Sequence, residues 1–214
     1  MNYLAERRQE EKERRRAEIL DAAEEVTGSA GWDELTMDQV ARRARLSRAL
    51  LYVYFQDKTD LMFGICERGL TVLRQRFEEA VARHRTGLEQ VTAIGRAYLA
   101  FSQEFPVYFD ILARCELREM DADTAAANEA ACMVTGDAVH GLMVEVLTRG
   151  VEDGSVRADL GPPLVAAMNL WGFVHGVIQL AHTKAKFLAH HRLDPRVLLE
   201  QAIAMATRSV AAKP

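Results

Sequence analysis

Residues 31–61 read GWDELTMDQVARRARLSRALLYVYFQDKTDL, and three helix starts fall inside this single stretch. Thr36 can cap a helix over Met37–Ala44, because Gln39 stands three residues on and each side chain can satisfy the other residue's free backbone N–H. A turn follows at Arg45 and Leu46. Ser47 can then cap a short helix that runs through Tyr54, and Asp57 a further one that begins at Lys58. Val40, Ala41, Ala44, Leu46, Leu51 and Phe55 supply a small shared core for two short crossing helices, with the alanines permitting close approach. Between Thr36 and Lys58 the bases are Arg42, Arg43, Arg45, Arg48 and Lys58, while the only acids are Asp38 and Asp57. The whole chain has a formal net charge of -4. A locally basic module thus sits in an acidic protein, which is how phosphate binding coexists with a low overall charge.

Working outward, the spacing predicts helices on both sides. A first helix starts in the charged lead and runs to about Thr27, burying Ile19, Ala23 and Val26, with Gly28 and Gly31 ending it. The helix from Lys58 continues to about Arg85 and carries Leu61, Ile65, Leu73 and Phe77 on its apolar side. Further helices fit Leu88–Glu104, Pro106 to about Glu119 with proline at the first position, and Thr124 to about Arg149. Residues 150–161 are rich in Gly and Asp and read as a loop; Pro163 to about Ala189 and Pro195 to about Ala211 supply the last two helices. No stretch alternates apolar and polar over many positions, so the expected fold is all-α, with about nine helices and no internal repeat.

Composition sets further bounds. With 214 residues, 49% of them hydrophobic, the chain can bury a substantial core. Cys66, Cys115 and Cys132 are odd in number and lack metal-ligand spacing, which fits small buried hydrophobes in a reducing compartment. Met1–Arg16 alternates Glu and Arg with no apolar stretch, unlike a secretory signal, so a cytoplasmic protein is expected. The most apolar segment, Leu164–Ala181, is interrupted by Asn169, His175 and Gln179, and reads as a buried helix rather than a membrane span. There is no Gly-rich phosphate loop and no nucleophile with a partner motif. Asp137 with His140, and His190 with His191, fall short of the three or four convergent ligands a metal needs. No catalytic residue, metal or cofactor is assigned.

The ordered set of residues in 31–61 resembles the N-terminal DNA-binding segment of TetR-family regulators. It comprises Gly31 with Trp32, Thr36, Val40 with Ala41, Ala44, Ser47, Leu51 with Tyr52, Tyr54 with Phe55, and Lys58 with Leu61. The resemblance covers about residues 14–64. It implies a three-helix helix-turn-helix module over residues 1–57, and a ligand-binding and dimerisation bundle over residues 58–214. In such a motif the second helix enters the major groove and the first spans the backbone. The resemblance therefore makes the helix capped by Ser47 the reader, with Arg48, Ala49, Leu50 and Val53 facing base edges. Thr36, Tyr52, Tyr54 and Lys58 become phosphate contacts. Arg45 stands where the family commonly has a glycine in left-handed conformation, Leu50 where a small or hydroxyl residue is common, and Val53 where an aromatic or His is usual.

Beyond residue 64 the resemblance lies in helix size, order and amphipathic character. It implies that the last two long helices pair across a two-fold axis, where Gly172 and Gly176 would let a partner backbone approach, flanked by Ala202, Met205 and Ser209. It also implies an inducer pocket, for which Phe101, Phe105, Tyr108, Phe109, Met143, Trp171 and His175 are the candidates, with Asn169 and Arg114 behind them. Trp171 and His175, one turn apart, best fit an apolar site with a polar anchor. The expected partners are a double-stranded operator, a small-molecule inducer and a second copy of the chain, with no membrane. Two rival readings are an all-α enzyme or small-molecule carrier, and an architectural DNA-binding protein without an inducer.

Overall fold

Helix ends fall where side chains can complete the backbone's hydrogen bonding. The Thr36 backbone N–H donates to Gln39 Oε1 at 2.7 Å while Gln39 N–H donates to Thr36 Oγ1 at 3.3 Å, and Thr86 with Glu89 forms a second such box. Ser47 Oγ accepts from Leu50 N at 3.2 Å, and Asp57 Oδ1 from Asp60 N at 2.8 Å. The computed structural model describes residues 3–119 and 125–212. Among these lie α1 (Tyr3–Ala30), α2 (Met37–Arg43), α3 (Arg48–Tyr54), α4 (Lys58–Val81), α5 (Gly87–Glu104), α6 (Pro106–Glu116), α7 (Ala127–Glu152), α8 (Pro163–Thr183), α9 (Ala185–His190) and α10 (Pro195–Val210). The described residues include no strand, only an isolated bridge between Val156 and Ala211.

The all-α expectation holds, with differences at the helix ends. The first helix passes Gly28 and stops at Gly31, whose φ is 85°. The fourth stops at Val81 rather than near Arg85, and the Gln90 amide donates to the carbonyls of Val81 (3.3 Å) and His84 (3.0 Å) just beyond that end. The sixth ends at Glu116, and the expected start of the seventh at Thr124 lies outside the described residues. Residues 150–152 extend α7 instead of opening the loop. The expected helix from Pro163 to Ala189 is two, α8 and α9, so that ten helices lie among the described residues where about nine were expected. Lys184 at φ -107°, ψ 21° separates them, and Thr183 Oγ1 bonds back to Gln179 O at 2.9 Å, an arrangement that bends helices.

The chain forms two compact units. The first comprises residues 1–69 and 107–134. In it α1 packs on α2 and α2 on α3, over a core that includes Ile19, Leu20, Leu35, Val40, Leu51, Phe55, Leu61 and Ile65. Gly64 is the tight point: a Cβ there would stand 2.8 Å from the Phe55 ring and 3.1 Å from Leu20. The three cysteines are free and buried in this unit.

The second unit comprises residues 70–106 and 135–214, with α10 packed on α8 and α5. Gly87 and Gly150 meet backbone to backbone, so that a Cβ on Gly87 would fall 2.2 Å from Gly150 Cα. The approach lets the loop after α7 cap α5. Asp153 Oδ2 accepts from Gly87 N at 2.7 Å and Ser155 Oγ from Leu88 N at 3.0 Å. Hydrogen bonds from the Ser155 side chain first, then from Gly87 N and from Ser155 N (2.8 Å), hold the Asp153 carboxyl below the usual carboxylate range.

Gly64→Ala should lower the unfolding free energy by up to about 2 kcal/mol, because an overpacking cost of about 1–3 kcal/mol is offset by a gain in helix propensity of about 1 kcal/mol. Gly87→Ala should cost more, since its obstruction is backbone that cannot rotate away. Urea denaturation of both variants measures the order, and a Gly87→Ala protein as stable as the parent would contradict the packing described.

Candidate nucleic-acid interface and ligand cavity

Helix α3 is seven residues long and divided by burial. Leu51 is fully buried, as is the C-cap residue Phe55, whereas Arg48, Ala49, Leu50, Tyr52 and Val53 are exposed, Val53 to 73%. An outward Leu–Tyr–Val set on a short helix has no core to fill in its own unit. The Arg48 guanidinium lies over the Tyr52 ring, 5.6 Å from its centroid, and pairs with Asp38 at 3.2 Å. Hydrogen bonding to Tyr52 and the charge of Asp38 hold the Arg48 pKa above its ordinary value.

The residues that frame α3 have local duties. Thr36 and Ser47 both cap helices, and the Thr36 hydroxyl also donates to Gln39 Oε1 at 2.9 Å. Lys58 Nζ donates to Asp33 O at 3.1 Å and sits 5.1 Å above the Trp32 ring, while Tyr54 is half-buried. Arg45 has φ 56°, the left-handed conformation expected for a position where glycine is common. The reason is a Schellman turn, in which Arg45 N donates to Arg42 O at 3.2 Å and Leu46 N to Ala41 O at 2.9 Å. Arg43 pairs with Glu25, and Arg42 Nε bonds Asp38 O at 3.2 Å.

Long-range polar contacts, which the sequence reading missed, brace this module. The Asp60 carboxylate takes Gln56 N–H on one oxygen (2.9 Å) and Asn128 of α7 on the other (2.8 Å). Asn128 in turn accepts from Arg16 at 2.9 Å. Arg114 binds Asp33 with both guanidinium nitrogens, at 2.8 and 3.0 Å, and holds the Asp33 carboxyl below its ordinary range. Arg68 joins Asp21 and Glu24, whose carboxyl burial pushes up against the pull of that arginine. Tyr108 donates to Glu24 at 3.1 Å, and burial and that carboxylate raise its hydroxyl to about 12. Arg114, Tyr108 and Phe109, read from sequence as pocket candidates, therefore belong to the first unit.

The second unit contains an apolar cavity. Met143 and Trp171 line it together with Tyr98, Phe77, Ile94 and Ile203. Tyr98 is an addition to the sequence reading, although its place one turn beyond Ile94 on the buried face of α5 was available as a signal. His175 stands behind Tyr98, with Nδ1 2.6 Å from the phenol oxygen. Phe101 is buried beside Tyr98, and Phe105 lies next to Phe101, under the Arg76 guanidinium, away from the lining. The free interior is about 40 Å³, room for a few waters and not for a larger molecule unless side chains move. Asn169 is exposed, in an open groove between α8 and α10. The outer face of α8 carries exposed Leu164, Val165, Met168, Phe173 and Leu180 beside Gly172 and Gly176, and a Cβ on either glycine would meet nothing within 4 Å. By length and composition α7 and α8 are each apolar enough to cross a membrane.

Residues 19–65 match the family described as bacterial regulatory proteins, tetR family, and residues 91–206 match the tetracyclin repressor-like C-terminal domain. The chain is similar to the fatty acid metabolism regulator protein of Bacillus subtilis (strain 168), 24% identical over 157 residues that cover 71% of this chain and 75% of that protein. It is 34% identical over 89 residues to the HTH-type transcriptional regulator BetI of Brucella anthropi, covering 42% and 46% of the two chains. The structure of the transcriptional regulator FadR from Bacillus subtilis in complex with stearoyl-CoA shares the fold, with a TM-score of 0.68 at 16% identity over 91% of this chain and 98% of that one.

Arg45→Gly should raise the unfolding free energy by about 0.5–1 kcal/mol, because the relief of left-handed strain, about 1–2 kcal/mol, exceeds the entropy cost of glycine. Chemical denaturation reads this directly, and an unchanged or lower stability would mean that the turn carries no strain.

Proposed function

Since the chain belongs to the tetR family of bacterial regulatory proteins, which are DNA-binding transcription regulators rather than enzymes, we propose that it is a ligand-released repressor working in the cytoplasm as a homodimer. The observation that carries the DNA-binding part is the outward face of α3, where Arg48, Leu50, Tyr52 and Val53 are exposed while Leu51 anchors the helix. Arg48 suits bidentate recognition of guanine, and Leu50 or Val53 a thymine methyl; Ala49 faces the same groove. Tyr52, Tyr54, Lys58 and Thr36 hold phosphates, with Arg45 and Ser47 at the turn that aims the helix. The DNA-binding role is assigned to residues 1–57, and ligand binding and dimerisation to residues 58–214, a division by role rather than by compactness.

Dimerisation accounts for the exposed apolar face of α8 better than a membrane does, because Asn169 and Gln179 interrupt that helix and its buried face is already packed on α10. Two copies related by a two-fold axis would set their reader helices about 34–36 Å apart, matching a pseudo-palindrome. Ligand in the cavity then acts through α4, which supplies Leu61 and Ile65 to one unit and Leu73 and Phe77 to the other. A ligand that prefers a different pose of α4 weakens DNA binding by its differential affinity, about 1–3 kcal/mol. Repression is the expected output, because a dimer seated on a promoter obstructs polymerase.

Mobility shifts with the chain's own upstream DNA test the proposal. Tyr52→Ala and Lys58→Ala should each weaken operator binding, and the second should flatten the salt dependence by about one unit of slope. Full affinity in both variants would remove the phosphate assignments. Gly176→Leu should shift the protein toward monomer in sedimentation velocity without loss of helicity, and an intact dimer would place the interface elsewhere.

A further inference from the structure

In the second unit a mainly apolar cavity is lined by Tyr98, and the hydroxyl of Tyr98 meets the His175 imidazole behind it. Tyr98 Oη and His175 Nδ1 are 2.6 Å apart, and both residues are buried. The Tyr98 ring is stacked on Trp171, 4.5 Å between centroids at 22°, and Trp171 lies nearly parallel to His175 at 6.2 Å and 18°. This stack fixes the plane of the phenol ring and hence the direction of its oxygen. The other hydroxyl on the wall, Thr207, is engaged with Thr92 at 3.1 Å. Among the described residues, no Lys, Arg, Asp or Glu lines the cavity. A buried polar pair adds little net stability over a hydrocarbon pair of the same shape, so the geometry gains its value from what the oxygen can bind.

Building on the ligand-binding reading above, we propose that the cavity takes an uncharged, mainly hydrocarbon molecule with one hydroxyl or carbonyl oxygen, held at Tyr98 Oη. The pair adapts to either group. When the phenol donates to Nδ1, its lone pairs accept from a ligand hydroxyl. In the other imidazole tautomer Nδ1–H donates to the phenol oxygen, and the phenol hydrogen is turned toward a ligand carbonyl. A charged head group finds no counter-ion in the lining and would have to leave water uncompensated. Met143 is the wall residue best able to yield space, because its unbranched side chain has several low-energy shapes.

Isothermal titration of the full chain at neutral pH with 1-octanol, 1-chlorooctane, octanoate and octylammonium tests this. The first should bind about tenfold more tightly than the second, the worth of one hydrogen bond. It should exceed both ions by about a hundredfold or more, the effect of burying an unpaired charge. Tyr98→Phe should abolish the preference for 1-octanol over 1-chlorooctane. The double variant Tyr98→Phe with His175→Leu should bind these two alike while keeping its helical circular dichroism, which separates lost recognition from lost folding. Octanoate binding as well as 1-octanol, or an undiminished preference in Tyr98→Phe, would overturn the inference and leave the ligand-binding reading standing. Failure of all four probes to bind the parent would overturn both.

Discussion

Leu51 and Phe55 are the anchors from which the outward face of α3 follows. Both are fully buried, and the Phe55 ring rests where Gly64 of α4 has no side chain. A helix of seven residues has too few turns to hold a position by its own hydrogen bonds. Once Leu51 and Phe55 are fixed in the core, the helical turn carries positions 50, 52 and 53 away from it, while Tyr54, three residues from Leu51, stays half-buried. The exposure of Leu50, Tyr52 and Val53 is therefore a consequence of where Leu51 and Phe55 are held. The Schellman turn at Arg45 sets the angle at which α3 leaves α2, and Asp60 holds the other end through Gln56 and Asn128.

In the second unit the corresponding constraint is the face shared by α5, α8 and α10. An apolar wall alone would leave a cavity indifferent to the chemistry of its contents. The Tyr98–His175 pair introduces direction, since a hydrogen bond has an axis and hydrophobic contact has none. The stacked Trp171 adds rigidity, so the oxygen is presented at one place rather than over a range. The small free interior admits a larger molecule only if the wall rearranges, and that wall includes Phe77 of α4.

What could be read in the sequence was local. The caps at Thr36, Ser47 and Asp57 act across three residues, so their spacing reveals them, and the left-handed turn at Arg45 follows from the helix that ends before it and the helix that begins after it. The break at Lys184 was hidden because no Gly or Pro marks it. Bonds between distant residues were equally hidden: nothing along the chain announces that Arg114 meets Asp33, or Asn128 meets Asp60. Aromatic residues at helical spacing look the same whether they fill a core or border a cavity. Met143 and Trp171 thus appeared together with Tyr108 and Phe109, which the fold assigns to another unit, while Tyr98 was not singled out.

The contact between Gly87 and Gly150 also bears on the order of synthesis. The first turn of α5 emerges from a ribosome long before its capping groups Asp153 and Ser155 exist, and residues 155–157 are joined in turn to the backbone of 210–212. Until then the Gly87 and Leu88 donors of α5 are met by water alone, although the Thr86–Glu89 box is local, and its apolar face lacks α8 and α10. The second unit is therefore a late folder whose closure waits on residues far along the chain, whereas the crossing of α1, α2 and α3 can form from the first sixty or so residues.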